Sequence, residues 1–534
     1  MGGSTPTIGR GLWLDKVASE IVSRENRLGR SLDKVIVESG LGASGIPHVG
    51  SIGDAVRAHG IRLALTDLGY DSNLIAYSDD FDGLRRVPEG FPKSLREKIG
   101  TPVSMIDDPF GCHDSYGDHM SSILLDGLDR LGIPYKFQSG TEAYRSGLLT
   151  PQIEKILAHA DEIGARISET LGQDKFVRVL PYYPLCENCK RIYLAQALQY
   201  LPGKKRVTYR CTGSQLGGEW IEGCGHEGER SVSDGLGKLS WKSEFAARWS
   251  ALDVRFEAFG KDIEDSVRIN DWISEKILDF PHPSHVRYEL FLTRSGKKIS
   301  KSLGNVFTPQ SWLTYGSRES LLLLMYKRIE GTRLLGVEEI PVYMDEIDVL
   351  EDLYFGKVKI DNVAKGIQQK ALYEYIYHLN PPKESSVHVP YRLLAKLSSL
   401  ANRDNLFSYV EKKLQEYKYI RRLDESLREK IALAKTWMED MKNQTELVTI
   451  TEIEKHAIRE LIVLLDYEKD PTRIQSEIYE IAKKNGITPS AFFKILYRIL
   501  ISAERGPRLG PYIVDTGVER VSKLLSSKID NSHI

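Results

Sequence analysis

Two stretches of this chain carry side chains suited to handling a triphosphate. The first is Ser44-Gly45-Ile46-Pro47-His48-Val49-Gly50-Ser51, a run of small residues with one imidazole ahead of an apolar helical pattern. Small residues such as Gly45, Gly50 and Ser51 let a nucleotide approach the backbone. A helix N-terminus favours its phosphates, and His48 can donate a hydrogen bond to them. The second is Lys297-Lys298-Ile299-Ser300-Lys301-Ser302-Leu303-Gly304-Asn305. Here Lys298 and Lys301 straddle Ser300, with Ser302 next. Such a loop can close over β- and γ-phosphates and neutralise a departing pyrophosphate. Glycine turns and solvated basic loops are each common. Far apart in one chain, at opposite ends of one nucleotide-binding fold, the two together are specific.

A third group suits a metal. Cys186-Glu187-Asn188-Cys189 is a C-x-x-C pair, and Cys211 and Cys224 follow. Four soft ligands in one segment fit a closed tetrahedral Zn²⁺ site that organises a small subdomain. His226 is the alternative to Cys211, because the gap from Cys211 to Cys224 is long for a zinc knuckle. A redox pair would sit in a thioredoxin-like βαβ pattern, and none surrounds these cysteines. Cys112 stands apart and reads as a packed core thiol.

These groups need a frame. Residues 34–38 read as a short buried strand, 39–45 as a glycine-rich turn, and 74–77 as the next strand. Pro47 suits the first turn of a helix running through Ile52, Val56 and Leu63. Strand, turn, helix, strand opens a doubly wound nucleotide-binding fold. The predicted class is α/β: a Rossmann-like catalytic domain split by an insertion that carries the zinc subdomain, then an all-α C-terminal region. Residues 1–95 form the first catalytic half, and 96–238 the connective insertion with its cysteines in about 180–230. Residues 239–335 form the second half with the dilysine loop, and 336–534 the helical region. In the last, Asp470-Pro471 reads as an N-cap with Pro at N1, and Asn485-Gly486 as that helix's end. Phe492, Leu496, Ile499, Leu500 and Ala503 fall at helical spacing after Thr488-Pro489. The polar tail 526–534 is expected to fray.

Composition sets bounds. With 41% hydrophobic and 28% charged residues, the 534-residue chain is an ordinary globular one. A net charge of -1 supplies no whole-chain field toward nucleic acid, so any RNA must meet local basic patches. The sequence has no stretch of signal-peptide or membrane-span character. With five Cys, a cytoplasmic chain without disulfides is expected.

The two phosphate-handling strings resemble the HIGH and KMSKS signatures of class I aminoacyl-tRNA synthetases. The second is close to complete, with Ile299 for Met. The first keeps His48 and Gly50 but has Ser51 where the family has its last His. Further strings are similar to class I lysyl-tRNA synthetase: Val37-Glu38-Ser39-Gly40; Asp79-Asp80-Phe81-Asp82-x-x-Arg85-Arg86-Val87-Pro88; Asp108-Pro109-Phe110-Gly111-Cys112-His113-Asp114-Ser115-Tyr116; Arg248-Trp249 with Val254-x-Phe256-Glu257 and Gly260-Lys261-Asp262; and Leu496-Tyr497-Arg498 with Arg505-Gly506-Pro507-Arg508-Leu509-Gly510. The resemblance covers nearly the whole chain, in order. It departs at Gly42-Ala43, where the family usually has Thr-Pro, and at Ile263, where it has His.

That resemblance implies activation of lysine by ATP to lysyl-adenylate and transfer to the 2′-hydroxyl at the 3′ end of tRNA(Lys). ATP with Mg²⁺ and a structural Zn²⁺ would be the cofactors, and His48, Lys298 and Lys301 would contact the triphosphate. A lysine ammonium held out of water needs a carboxylate. Gly40, Asp79, Asp80 and Asp82 stand at strand ends, where ligands of such sheets gather, and Trp249 could cover the methylene stem. Arg85 and Arg86 compete for those carboxylates, so at least one Asp is expected only to pair with them. The helical region would bind the anticodon; Lys412, Lys413, Tyr417, Lys418, Tyr419, Arg421 and Arg422 interleave charge with rings there. A monomer without membrane contact is expected. The alternatives are glutamate or arginine specificity, a tRNA-independent nucleotidyltransferase, which would not need the helical region, and a non-catalytic relative, which would lack the two lysines.

Overall fold

The computed structural model describes residues 8–289, 291–292, 307–329, 331, 333–401, 403–445, 450–501 and 508–530. Five parallel strands form the central sheet: β1 (Val35–Leu41), β2 (Ser72–Ser78), β3 (Lys136–Ser139), β4 (Val254–Gly260) and β5 (Ser284–Tyr288), in the order β5-β4-β1-β2-β3. Every residue of β4 is buried, as a parallel strand covered on both faces requires. Val37 of β1 is flanked by Leu74 on one side and Phe256 on the other. The chain runs outward from β1 to β3 and returns to β4 on the other side of β1. The strand order therefore reverses between β1 and β4, which opens a ligand crevice at their carboxyl ends.

Helix α1 (Trp13–Arg27) precedes the sheet, α2 (Val49–Asp67) joins β1 to β2, and α3 (Tyr116–Arg130) leads into β3. Then α4 (Trp241–Leu252) leads into β4, and α5 (Glu264–Lys276) joins β4 to β5. Ile52, Val56 and Leu63 of α2 are buried as their spacing predicts. Pro47 is not in the helix: His48 is the N-cap and Val49 the first helical residue. Strand β1 runs three residues beyond 38, because Ser39-Gly40-Leu41 keep their extended pairing to β2.

The sheet also reaches into the segment 96–238 expected to be wholly insertion. Lys136–Ser139 pairs with β2 as an edge strand. Its four residues are at most half-buried and carry no apolar signature. The insertion proper follows β3. Tyr182–Pro184 pairs antiparallel with Gly237–Leu239 where it leaves and rejoins the fold. Between them lie a three-stranded antiparallel sheet (Ala195–Leu201, Arg206–Cys211, Glu227–Ser231) and the hairpin Gly213–Leu216/Glu219–Glu222.

Two compact units divide the chain: Met1–Arg392 with Leu414–Leu433, and Leu393–Lys413 with Ala434–Ile534. The first extends past 335, because helix Val363–Ile376 is tied to its start. The Tyr375 hydroxyl donates to Asp15 Oδ1 at 2.7 Å, and Arg10 pairs with Glu374 at 2.5 Å. The second unit is helical around Ile458, Leu461, Ile478, Phe492 and Leu496. Asp470 caps helix Pro471–Lys484 by accepting from the Thr472 and Arg473 N–H groups, and Gly486 follows its end at φ +67°. Ala503 and Arg505 lie outside the described residues. Helix Val518–Asp530 carries order into the tail expected to fray, since Val521, Leu525 and Ile529 bury one face. Among the described residues no helix is long and apolar enough to cross a membrane.

Candidate active site and metal centres

A cavity of about 510 Å³ lies at the carboxyl ends of β1 and β4, a size usual for a small-molecule site. Gly40 and Gly42 line it from β1, and His48, Gly50, Ser51 and Asp54 from α2. Asp79, Arg85 and Arg86 follow β2, while Trp241, Phe245 and Arg248 come from α4. Glu257, Gly260, Asp262 and Ile263 come from β4 and its continuation, and Tyr288 and Phe291 from the end of β5 and beyond. Gly42 and Ile263, two places where the chain departs from the family pattern, are therefore both in the wall.

His48 is held by a reciprocal cap. Its Nδ1 accepts the Ser51 N–H at 3.1 Å, and Ser51 Oγ accepts the His48 N–H at 3.3 Å. With Nδ1 committed as an acceptor, the neutral ring carries its proton on Nε2, as a donor. Ser51 thus supports the imidazole rather than replacing one. A Cβ on Gly50 would lie 2.7 Å from His48 Cε1, so a side chain there would push the imidazole aside. Gly45 is buried in the turn, behind the lining. Lys298, Ser300, Lys301 and Ser302 lie outside the described residues. The described residues on either side of them meet the His48 end of the cavity. Phe291 lines it, and the Phe307 carbonyl accepts the Val49 N–H of α2 at 2.8 Å.

A buried arginine faces three carboxylates. Arg248 Nη1 donates to Asp79 Oδ1 at 3.1 Å, and its Nη2 meets Glu257 Oε1 at 3.3 Å and also Glu38 Oε1. The guanidinium lies 4.2 Å over the Tyr77 ring. One cation cannot offset three ionised acids where water is scarce, so the empty site favours protonated carboxyls and an arriving cation favours their ionised forms. Burial, opposed by Arg248, pushes the Glu38 carboxyl up to about 8 and that of Asp79 to about 7. Nearby, burial pushes Asp54 up to about 7 although the Tyr288 hydroxyl donates to it.

Three expected lysine contacts move elsewhere. Asp80 accepts the Thr141 N–H at 2.7 Å and the Ser139 hydroxyl at 2.5 Å, so it pins β2 to β3. Asp82 is neutralised by Lys238 and sits 3.8 Å from Arg85, the purely ionic role foreseen for one Asp. Trp249 is wholly buried and donates its indole N–H to Glu257. Trp241, Phe245 and Trp249 recur every four residues on α4, and of that helix Trp241, Phe245 and Arg248 line the cavity. Trp249 supports it from behind. Sequence reasoning assigned no role to Glu38, Arg248 or Glu257. A usable signal was present: each is a charge inside an apolar helix or strand.

Residues 11–383 match the family described as tRNA synthetases class I (K). The chain belongs to the class I lysyl-tRNA synthetases. This synthetase is 51% identical over 527 residues to a protein of Cenarchaeum symbiosum named "Lysine--tRNA ligase", covering 98% of this chain and 100% of that one. It is 31% identical over 523 residues to the protein of that name from Rickettsia prowazekii (strain Madrid E), covering 96% of each.

Among the described residues the synthetase also gathers two four-residue sets of metal-ligating side chains outside the cavity, besides the three-residue set Asp271, His282 and His285. The sulfurs of Cys186, Cys189, Cys211 and Cys224 lie within 4.8 Å of one another. The Cys186–Cys224 and Cys189–Cys211 distances are 3.6 and 3.7 Å. A tetrahedron with Zn–S bonds of about 2.3 Å has edges of about 3.8 Å. The hairpin Gly213–Leu216/Glu219–Glu222 takes up the long gap between Cys211 and Cys224. His226 stands outside the set, 3.5 Å from Glu187.

The second set corrects the reading of Cys112, which is exposed rather than packed. Its Sγ lies 3.2 Å from each of Asp108 Oδ2, His113 Nδ1 and His119 Nδ1. Asp108 Oδ2 is 3.3 Å from His119 Nδ1 and 3.8 Å from His113 Nδ1. The loop turns outward because Asp108 accepts the N–H groups of Phe110, Cys112 and His113. That winding carries the thiol away from the core.

Proposed function

We propose that this synthetase activates lysine with ATP as lysyl-adenylate and transfers it to the 3′ end of tRNA(Lys). The observation that carries the proposal is the charge set around Arg248, beside the helix end capped by His48. Glu38, Asp79 and Glu257 outnumber the one guanidinium and suit an ammonium. They disfavour glutamate, whose carboxylate would add to the excess. Gly40 keeps the space above them open, since a Cβ there would lie 3.7 Å from Arg248 Nη2 and 4.0 Å from Asp79 Oδ2.

On this reading the phosphates of ATP lie at the N-terminus of α2, with the Nε2 proton of His48 donated to them. The lysine α-carboxylate attacks the α-phosphorus in line, and pyrophosphate leaves. The terminal 2′-hydroxyl of the tRNA then takes the acyl group. Positioning and charge stabilisation suffice, without an enzyme nucleophile. Lys298 and Lys301 would neutralise the departing pyrophosphate, and Ser300 and Ser302 would contribute hydroxyl donors to it. Mg²⁺ bound with ATP would supply further charge neutralisation of the triphosphate.

The four-cysteine set would hold a structural Zn²⁺ that ties the small sheet of the insertion to its hairpin. The Asp108 set has the same closed arrangement with mixed ligands and would take a second structural ion. The helical second unit would bind the anticodon arm, and the reaction would take place in the cytoplasm.

ATP–pyrophosphate exchange, measured with tRNA(Lys) present across all twenty amino acids, tests the proposal. Lysine should support exchange well above the rest. Exchange with glutamate or arginine but not lysine would overturn it.

A further inference from the structure

At the β5 edge of the sheet, one cluster has ligand chemistry that neither the cavity nor the two four-residue metal sets use. Asp271 and Glu275 stand four residues apart on α5, a like-charge spacing that destabilises a helix unless cations face it. Two imidazoles face it. His285, on β5, presents Nε2 to Asp271 Oδ1 at 2.9 Å. His282, in the connection from α5 to β5, has its Nε2 3.5 Å from Glu275 Oε1 and its Nδ1 3.6 Å from Asp271 Oδ1. One ligand atom from each of Asp271, His282 and His285 lies within 4.8 Å of the other two.

Both rings are oriented from outside the cluster. The Glu257 carbonyl accepts the His285 Nδ1–H at 3.0 Å, and the Pro283 carbonyl accepts that of His282 at 2.7 Å. A carbonyl can only accept, so each Nδ1 carries a proton and each neutral ring keeps its lone pair on Nε2. His285 packs against the Trp249 and Phe259 rings, with centres 5.2 and 5.5 Å away, and His282 stacks on it with planes 6° apart. A main-chain carbonyl that fixes the far nitrogen is the usual outer support of a metal-binding imidazole. Both lone pairs face carboxylate oxygens, and that arrangement is repulsive until a cation joins them.

We propose that Asp271, His282 and His285 hold one divalent ion of the zinc, nickel or cobalt class, with Glu275 balancing its charge. Imidazole with carboxylate suits these ions, and the lack of a thiolate sets the site apart from both cysteine-containing sets. Tetrahedral ligands at about 2.0–2.1 Å from Zn²⁺ stand about 3.3 Å apart, a few tenths of an ångström more than the gap between His285 Nε2 and Asp271 Oδ1. Three half-buried protein ligands leave a coordination position to water, as open zinc sites do. The ion therefore exchanges with solvent, and purification empties this site while the two four-ligand sets keep theirs. When bound, it ties α5 to β5 and braces the strand pair in which His285 stands beside Glu257.

The test titrates Co²⁺ into the full chain, purified without chelator so that the two four-ligand sets hold zinc. One equivalent should bind with the d–d absorption of cobalt and without a thiolate-to-cobalt charge-transfer band, and Zn²⁺ should displace it. Asp271→Asn and His282→Ala, at half-buried positions outside the cavity lining, should each weaken binding by at least about 10-fold and leave the zinc content unchanged. At an ion concentration about 100 times its dissociation constant, amides of residues 277–285 that exchange through local opening should exchange up to about 100-fold more slowly. Absence of a cobalt equivalent would overturn the inference, as would an equivalent that carries the thiolate band. Full affinity in both variants, or amide exchange across 277–285 that cobalt leaves unchanged, would overturn it too.

Discussion

At the scale of single residues, the account turns on how few atoms hold the imidazole and the acid cluster in place. Gly50 gives His48 its room, so Gly50→Ala should displace the ring by several tenths of an ångström or more and slow adenylation by about 10-fold or more, read in single-turnover assays. Lys301→Ala should slow the same step by about 10²–10³-fold, and near-normal adenylation would remove Lys301 from the chemistry. The acid cluster makes a pH prediction with a definite sign. Glu38 and Asp79 titrate above their ordinary values of 4.5 and 3.8 when folded, near 8 and 7. The empty fold therefore favours their protonated forms, and the stability they contribute is present at acid pH and lost as pH rises toward 8. A bound ammonium favours the ionised forms. Lysine affinity should therefore rise from pH 6 to pH 8, by up to about 10-fold per unit for each proton released, measured by calorimetry in buffers of different ionisation heat. Residue types were largely legible in the sequence, but depth was not. Trp241 and Trp249 lie on one helix at the same spacing, yet Trp241 lines the cavity and Trp249 is wholly buried with its N–H donated to Glu257.

At the scale of elements, the strand–turn–helix carrying His48 was legible from an apolar strand, a glycine-rich turn and the helical spacing of Ile52, Val56 and Leu63, while the His48 cap that starts the helix two residues past Pro47 was not. Strand β3 was not, because four half-exposed residues at a sheet edge leave no periodic trace. The loop 108–113 was misread for a related reason. Its order comes from one carboxylate collecting backbone N–H groups, a device that composition does not announce. The metal sets belong to this scale. Elemental analysis of chelator-free protein should find about two zinc ions per chain, and about one in each of Cys186→Ser and His119→Ala. Stripping the cysteine site should loosen the insertion and, with it, its hairpin. Protease cleavage confined to about 180–235 would report that loss. Cleavage unchanged by chelation would argue against a structural ion there.

At the scale of the whole molecule, the net charge of -1 conceals a separation that only the fold creates. Acids from α2, from the end of β2 and from β4 line one cavity, and cations with rings from the insertion and α4 line its neighbour. The sheet's switch point explains why residues as distant as Gly40, Asp79 and Glu257 meet. The central claim is that the carboxylates around Arg248 recognise the side-chain ammonium of lysine. The most direct test is equilibrium binding of two non-hydrolysable aminoacyl-adenylate analogues, lysyl and norleucyl, which differ only in that ammonium. The unmodified protein should prefer the lysyl form by at least about 10²-fold, and Asp79→Asn and Glu257→Gln should each lose most of that preference. Equal preference in all three proteins, or none in the unmodified one, would contradict the account.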